Sequence, residues 1–205
     1  MSESSNAQIT VRRMTSADLV RVVDLLARAF SDDPVLNFIV RADHRRAERI
    51  RRIMEVSVRK LTFPFGETYV TSGYEGAALW NPPGQRPHGW RTDLRLLPVY
   101  LRLAGLRGLP RIAATDRLLE EKHLRGPHYY LLAVGVEPYS QGRGIGTRLL
   151  SPVLERCDRD GIPAYLETGT ERNLPLYLRL GFSLAEQIVL PRGGPPLWLM
   201  RREPH

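Results

Sequence analysis

The tightest grouping of residues suited to chemistry is Gln141 to Gly146, QGRGIG, with glycine at every second position: Gly142, Gly144 and Gly146. Missing side chains let an anionic ligand approach the main chain, and amide N–H groups are left free to face it. An apolar run, Tyr129 to Val136, precedes the stretch, and GTRLLSPVLERC follows it with helical spacing. The pattern is strand, tight turn, helix start, and the turn reads as a phosphate cradle. Further along, Asn173 and Tyr177 stand four residues apart, so a helix there presents both on one face. A phenol with a reference pKa of about 10 stays protonated at neutral pH and can donate a proton; the same ring can equally serve as packing against a sheet. For a group that takes up a proton, the candidates are Glu167, facing either a pocket or solvent, and His123, whose reference pKa of about 6.5 suits the task but whose polar surroundings also suit a surface histidine. Glu121 and Asp33 are weaker candidates. No HxxxH or carboxylate–histidine cluster calls for a metal.

Two better-known glycine motifs do not fit. The dinucleotide fingerprint begun at Gly142 needs glycine where Thr147 stands, and the nucleotide P-loop needs a lysine, whereas Lys60 and Lys122 are both distant. The elements that must hold these residues follow from periodicity. Ile9 to Arg13 predicts a strand; Thr15 and Asp18 form a weak capping-box analogue ahead of a helix carrying Leu19, Val22, Val23, Leu26 and Phe30. Asp33 and Pro34 suit the start of a short helix to Val40, and His44 to Leu61 predicts a helix with a basic outer face. Glu67 to Ser72 and Gly76 to Trp80 predict a hairpin. Gln85 to Arg125, with Trp90, Leu94, Leu118 and Leu119, predicts two helices broken near Gly105 to Pro110. Tyr129 to Val136 predicts a strand buried on both faces, with Gly135 marking a bulge or a ligand's approach. Pro152 predicts a local kink in the next helix. Ala164 to Thr168 predicts a strand, Leu174 to Leu180 a helix, and Phe182 to Leu190 with Leu197 to Arg201 a strand pair around PRGGPP. That order belongs to an α/β fold of the α+β, mixed-sheet kind.

Gln141, Gly144 and Gly146 match the Q/R-x-x-G-x-G/A signature of the GNAT acetyltransferase superfamily, and Asn173, Tyr177 and Leu180-Gly181-Phe182 match its downstream N…Y…GF pattern. Two ordered motifs about thirty residues apart are far more specific than either alone. VGVEPYSQGRGIG, GIPAYLET and RNLPLYLRLGF, with ARAFSDDP and ALWNPPG earlier, resemble the group around puromycin N-acetyltransferase most closely. The resemblance implies a mostly antiparallel sheet with a splayed central strand pair and flanking helices, and acetyl transfer from acetyl-CoA to an amine by direct attack on the thioester. It implies that main chain near Val134, Gly135 and Val136 polarises the carbonyl. Gln141, Gly142, Arg143, Gly144, Ile145, Gly146 and Thr147 would hold the pyrophosphate, and Asn173 the cofactor arm. Tyr177 would protonate the departing sulfur, with Glu167 or His123 as the base.

Composition sets the remaining bounds. With 205 residues, 42% hydrophobic, one globular domain over 9–202 is expected after a disordered lead-in, 1–8. No segment resembles a secretory leader and no apolar run approaches the ~18 residues of a membrane span, so a soluble, cytoplasmic protein without a membrane partner is expected. Cys157, the single cysteine, excludes an internal disulfide framework and sits in an apolar helical pattern. The net charge of +8 comes from scattered arginines rather than a basic tail, so nucleic acid is not the expected partner, and part of the field can serve an anionic cofactor. Bulky residues in 30–38 and 63–90 favour an enclosed pocket for a small-molecule amine over a protein tail. A protein or peptide acetyltransferase, or a non-catalytic binder of acyl-CoA or nucleic acid, is the alternative. Monomer and homodimer are both compatible with the sequence.

Overall fold

Turn chemistry decides where the strands of the first half begin. The structure is a computed structural model that describes residues 9–85 and 97–205; the lead-in at 1–8 and the expected helix residues Trp90 and Leu94 lie outside them. Tyr74 adopts a left-handed conformation (φ 61°), and the Thr71 hydroxyl accepts the Glu75 and Gly76 amides at 2.8 and 3.1 Å. This closes the hairpin between β2 (Thr68–Thr71) and β3 (Gly76–Asn81). β1 (Val11–Arg13) pairs antiparallel with β2. Thr15 donates its main-chain N–H and its hydroxyl to the Asp18 carboxylate at 2.8 and 2.9 Å, which opens α1 (Leu19–Ala29) as the capping pattern predicts. The Asp33 carboxylate accepts the Leu36 amide at 2.8 Å and starts α2 (Pro34–Ile39). α3 (Arg46–Val56) continues through a π-helical turn, Ser57–Thr62.

The second half alternates strand and helix: α4 (Leu97–Lys122), β4 (Tyr129–Val136), α5 (Ile145–Asp160), β5 (Ala164–Thr168), α6 (Leu174–Arg179), then β6 (Ser183–Val189) and β7 (Pro196–Arg202). One seven-stranded sheet results, in the order β1-β2-β3-β4-β5-β7-β6. All pairs are antiparallel except β4–β5. Gly105 (φ 66°, ψ 176°) leaves helical geometry and divides α4, as the expected break near it requires. The kink expected at Pro152 does not interrupt α5, which runs from 145 to 160; the Ser151 hydroxyl donates to the Thr147 carbonyl at 3.0 Å one turn earlier.

Helices cover both faces of the sheet. On one face, Val22, Val23, Leu25 and Leu26 of α1 and Ile50 and Ile53 of α3 pack on Val70, Ala77 and Leu79. Further along that face, Val35 and Phe38 of α2 and Leu118 and Leu119 of α4 meet Tyr165, Leu197 and Leu199. On the other face, Leu149, Leu150, Val153 and Cys157 of α5, with Tyr177 of α6, pack on Trp80, Leu131 and Leu166. Burying side chains of this size contributes ~1.5–3 kcal/mol each, so these layers fix the frame on which the site is built.

Candidate active site

The glycine turn is a set of exposed main-chain donors. Gly142 and Gly144 have φ of 76° and 74°, a region that L side chains rarely adopt, and a Cβ added at either would meet open space. Gly144 precedes α5, and its carbonyl accepts the Arg148 N–H at 3.2 Å. Amides of Ile145, Gly146 and Thr147 belong to the first helical turn, where no residue four positions back is helical, so they point outward together with the positive end of the helix dipole. Arg143 is exposed, Gln141 ties the turn to β4 by donating Nε2–H to the Val136 carbonyl at 3.3 Å, and the Ile145 side chain is in the core, leaving only its main chain for a ligand. Gly146 has a different reason for being glycine: a Cβ there would lie 3.1 Å from Leu176 of α6. The cradle suits a pyrophosphate.

Beside the turn, the sheet opens. β4 and β5 pair over only three residues, Tyr129↔Ala164, Tyr130↔Tyr165 and Leu131↔Leu166. Beyond them β4 continues to Val136 and β5 to Thr168 without further pairing, so the strands splay as expected. Leu132 is the cause on the β4 side, because the register moves from Trp80↔Leu131 to Leu79↔Ala133 and leaves it unmatched, a bulge that bends and twists the strand. Gly135, where a bulge or ligand approach was expected, serves α1 instead: its Cβ would lie 2.9 Å from both Ala29 Cβ and Leu26 Cδ2. Burial of β4 on both faces is likewise incomplete, with Leu132, Ala133, Val134 and Val136 half-buried where β5 has left its side. Main chain of 132–136 thus offers hydrogen-bonding groups to an extended, amide-bearing ligand.

Tyr177 and Glu167 lie on opposite faces of this opening. Tyr177 is buried, edge-on to Phe182 (ring centroids 5.9 Å apart), and its phenol is held well above its ordinary pKa by burial first and by the nearby Asp33 charge second. Asn173 sits half-buried just before α6, its N–H bonded to the Thr170 carbonyl at 3.0 Å. Asp33 comes from the far face: Pro34 and Val35 cross the end of β5 at Gly169, whose Cβ would lie 2.6 Å from Val35 Cγ2. Burial pushes the Asp33 carboxyl above its usual range, against the opposing pull of the Leu36 and Val35 amides.

Glu167, one residue past the last β4–β5 pair, points to the α4 face with Tyr165, and its side chain is only 10% exposed. Tyr130 donates its hydroxyl to Glu167 Oε2 at 2.6 Å, and His123 Nδ1 lies 3.5 Å from Oε1. His123 Nε2 is 3.1 Å from His128 Nε2, and His128 Nδ1 is 2.8 Å from the Gly126 carbonyl. A carbonyl only accepts, which assigns the proton to His128 Nδ1 and leaves its Nε2 to accept from His123 Nε2–H. His123 Nδ1 then faces the Glu167 carboxylate. Tyr165 packs edge-on to His123 at 5.0 Å, and burial holds the Tyr130 phenol well above its ordinary pKa. His123 is therefore not a surface histidine, whereas Glu121 is exposed. Sequence reasoning missed Tyr130, His128 and Tyr165; their signal was alternation, since His128 and Tyr130, like Tyr165 and Glu167, are two residues apart and share a face.

Comparison with known proteins agrees with this geometry. The profile of the Acetyltransferase (GNAT) family matches residues 79–182. An uncharacterised N-acetyltransferase of Schizosaccharomyces pombe is 28% identical over 210 residues, covering 96% of this chain and 84% of its own length. A crystal structure from Corynebacterium glutamicum, described as histone acetyltransferase HPA2 and related acetyltransferase, superposes with a TM-score of 0.73 at 27% identity over 96% of this chain and 97% of its own. The polyamine N-acetyltransferase of Drosophila melanogaster, which forms N-acetylagmatine, has the same fold (TM-score 0.64, 18% identity, 95% and 99% coverage).

Proposed function

Starting from the fact that the chain belongs to the Acetyltransferase (GNAT) family and is an acetyl-CoA-dependent N-acetyltransferase, we propose that its acceptor is a small-molecule amine, deprotonated by the Glu167–His123 pair on one face of the sheet while Tyr177 serves the leaving sulfur on the other. The observation that carries this reading is the placement of a buried acid–imidazole pair and a buried phenol on opposite sides of the same β4–β5 opening.

When bound, acetyl-CoA supplies the thioester whose acetyl group is transferred. Open space before Gly142 and Gly144 and the outward amides of the first α5 turn fit its pyrophosphate, and the main chain of 132–136 fits its amide-bearing arm. Asn173, beside the opening, is placed to hydrogen-bond that arm. An ammonium acceptor entering from the α4 face gives a proton to Glu167, with His123 Nδ1 able to share it, so the nitrogen lone pair is free to attack. Amide N–H groups near Val134–Val136 stabilise the negative charge that builds on the carbonyl oxygen. As the C–S bond breaks, Tyr177 donates a hydrogen bond to the sulfur. Because burial makes the phenol a weaker acid, its proton moves only in step with bond cleavage, when the thiolate is most basic, and the second proton shed by the acylated nitrogen balances it, leaving a neutral amide and free CoA thiol. Enclosure supports a small acceptor, since α2 crosses the mouth of the opening at Gly169 and α4 closes the same face.

Release of free CoA thiol, measured across a panel of small amines and of peptides with free N-termini, tests the acceptor class. Glu167→Gln is expected to lower kcat/KM for the acceptor about 100-fold. A variant with wild-type turnover, or a panel in which only peptides react, rules the reading out.

A further inference from the structure

A cavity of about 740 Å³ lies between the second half of α2, the two arms of α4 and the β6–β7 turn. Gly105 bends α4 around it, and the turn delivers Arg192 in a left-handed conformation (φ 62°). Four arginines line it, Arg41, Arg107, Arg111 and Arg192, with Asn37 and no acidic residue among the described lining. Arg41 shares the Asp43 carboxylate, 3.2 Å away, with Arg49, and Arg107 and Arg192 make no ion pair with a described residue. Arg111 is held in place and left incomplete. Its guanidinium stacks on Phe38 at 4.8 Å, its Nη2 reaches the Ile39 carbonyl only at 3.5 Å, and its Nε is buried with no hydrogen-bond partner. A buried donor of this kind is costly unless a ligand completes it. Three uncompensated guanidiniums around one cavity favour an anion, and their forked donors match carboxylate and phosphate oxygens.

The cavity is not part of the pyrophosphate cradle, because α2 and α4 lie on the face opposite α5. It shares its face with Glu167 and His123. α2 links the two places: its first residues touch Gly169 at the end of β5, and Asn37 in its second half lines the cavity.

We propose that this cavity holds the anionic end of the acceptor, which is thus an amine bearing a carboxylate or phosphate group at the end remote from its reactive nitrogen. The proposal rests on the small-molecule acetyltransferase reading above and narrows its substrate class. Chain-length-matched ω-amino acids, ω-aminoalkyl phosphates and uncharged alkylamines test it as acceptors. The anionic series is expected to exceed the uncharged one at least ~10-fold in kcat/KM, and the two anionic arms show which head group is preferred. Arg111→Gln and Arg192→Gln are each expected to raise acceptor KM ~10- to 100-fold with KM for acetyl-CoA unchanged. Arg192 is exposed, so its variant remains informative if loss of Arg111 disturbs folding. Binding can also be read without turnover. Calorimetric titration with inorganic phosphate and with glutarate, at saturating CoA to occupy the glycine turn, is expected to show a site in the wild type that Arg192→Gln weakens ~10-fold or more. Equal use of charged and uncharged amines, or anion binding identical in wild type and variants, overturns the proposal. Absence of acetyl transfer to any amine would count against the acceptor reading alone, while the titration would still decide the cavity.

Discussion

The proposed donor and acceptor sides of the site are built by different means. On the proposed donor side, the groups open to a ligand are main-chain amides of one continuous stretch, Gln141 to Thr147, placed by two left-handed glycines and a helix start. On the proposed acceptor side they are side chains from separated segments: Asp33 to Arg41, Gly105 to Arg111, His123 to Tyr130, Tyr165 to Glu167, and Arg192. Main-chain recognition tolerates change in most side chains provided the backbone conformation survives. Side-chain recognition depends on each residue type, and can be redirected by single substitutions without touching the donor.

The largest expected departure from that division comes where the two sides meet. Tyr177→Phe keeps the packing against Phe182 and removes only the hydroxyl, so kcat is expected to fall about 100-fold with KM for either substrate little changed; steady-state kinetics with both substrates varied will check this. If KM moved and kcat did not, Tyr177 would belong to the packing alone. A sharper separation is expected from Gly144→Val, which forces a β-branched residue to φ 74° and fills the space before the turn. KM for acetyl-CoA should rise ~10-fold while acceptor KM stays the same, since conformational strain of this kind costs about 1–2 kcal/mol.

The smallest effect concerns the support of the donor side. Arg202 forks onto Asp158 of α5 at 2.7 and 2.8 Å and donates Nε–H to the Leu180 carbonyl at the end of α6, at 2.8 Å. The guanidinium holds the Asp158 carboxyl below its ordinary value, at about 2. A carboxyl that is more acidic folded than unfolded contributes stability above the unfolded value of 3.8 and loses it as pH falls toward 2. Asp158→Asn should therefore lower the melting temperature by a few degrees near neutrality, on the order of 1 kcal/mol after solvent screening, with the difference shrinking as pH falls toward the folded value and vanishing below it. A pH-independent difference would assign the loss to packing instead.

The same contrast explains how far the sequence could be read. The glycine turn, the Asn173–Tyr177 spacing and the β2–β3 hairpin depend on neighbours within a few residues, so their geometry is written locally. Splaying of β4 from β5 was expected from the family resemblance, but its local cause was not legible: Leu132 is one apolar residue in an apolar run, and nothing distinguishes it as the bulged one until β3 sets the register. The bulge lies at Leu132 rather than Gly135, and the packing reason for glycine at 135 was not legible either, since the atoms that exclude a side chain there belong to α1, more than a hundred residues earlier. The His123–Glu167 pair and the arginine cavity required α4 to be placed over β5 and β7, which only tertiary packing does.

Parting two strands in the middle of a sheet creates two unpaired edges, and an exposed edge is ordinarily a template for aggregation. Here both edges are recessed, with α1 packed on one side of β4 and α5 on the other. Another chain could reach those edges only by parting the helix layers, so what would be a hazard at the rim of the sheet is harmless at its centre.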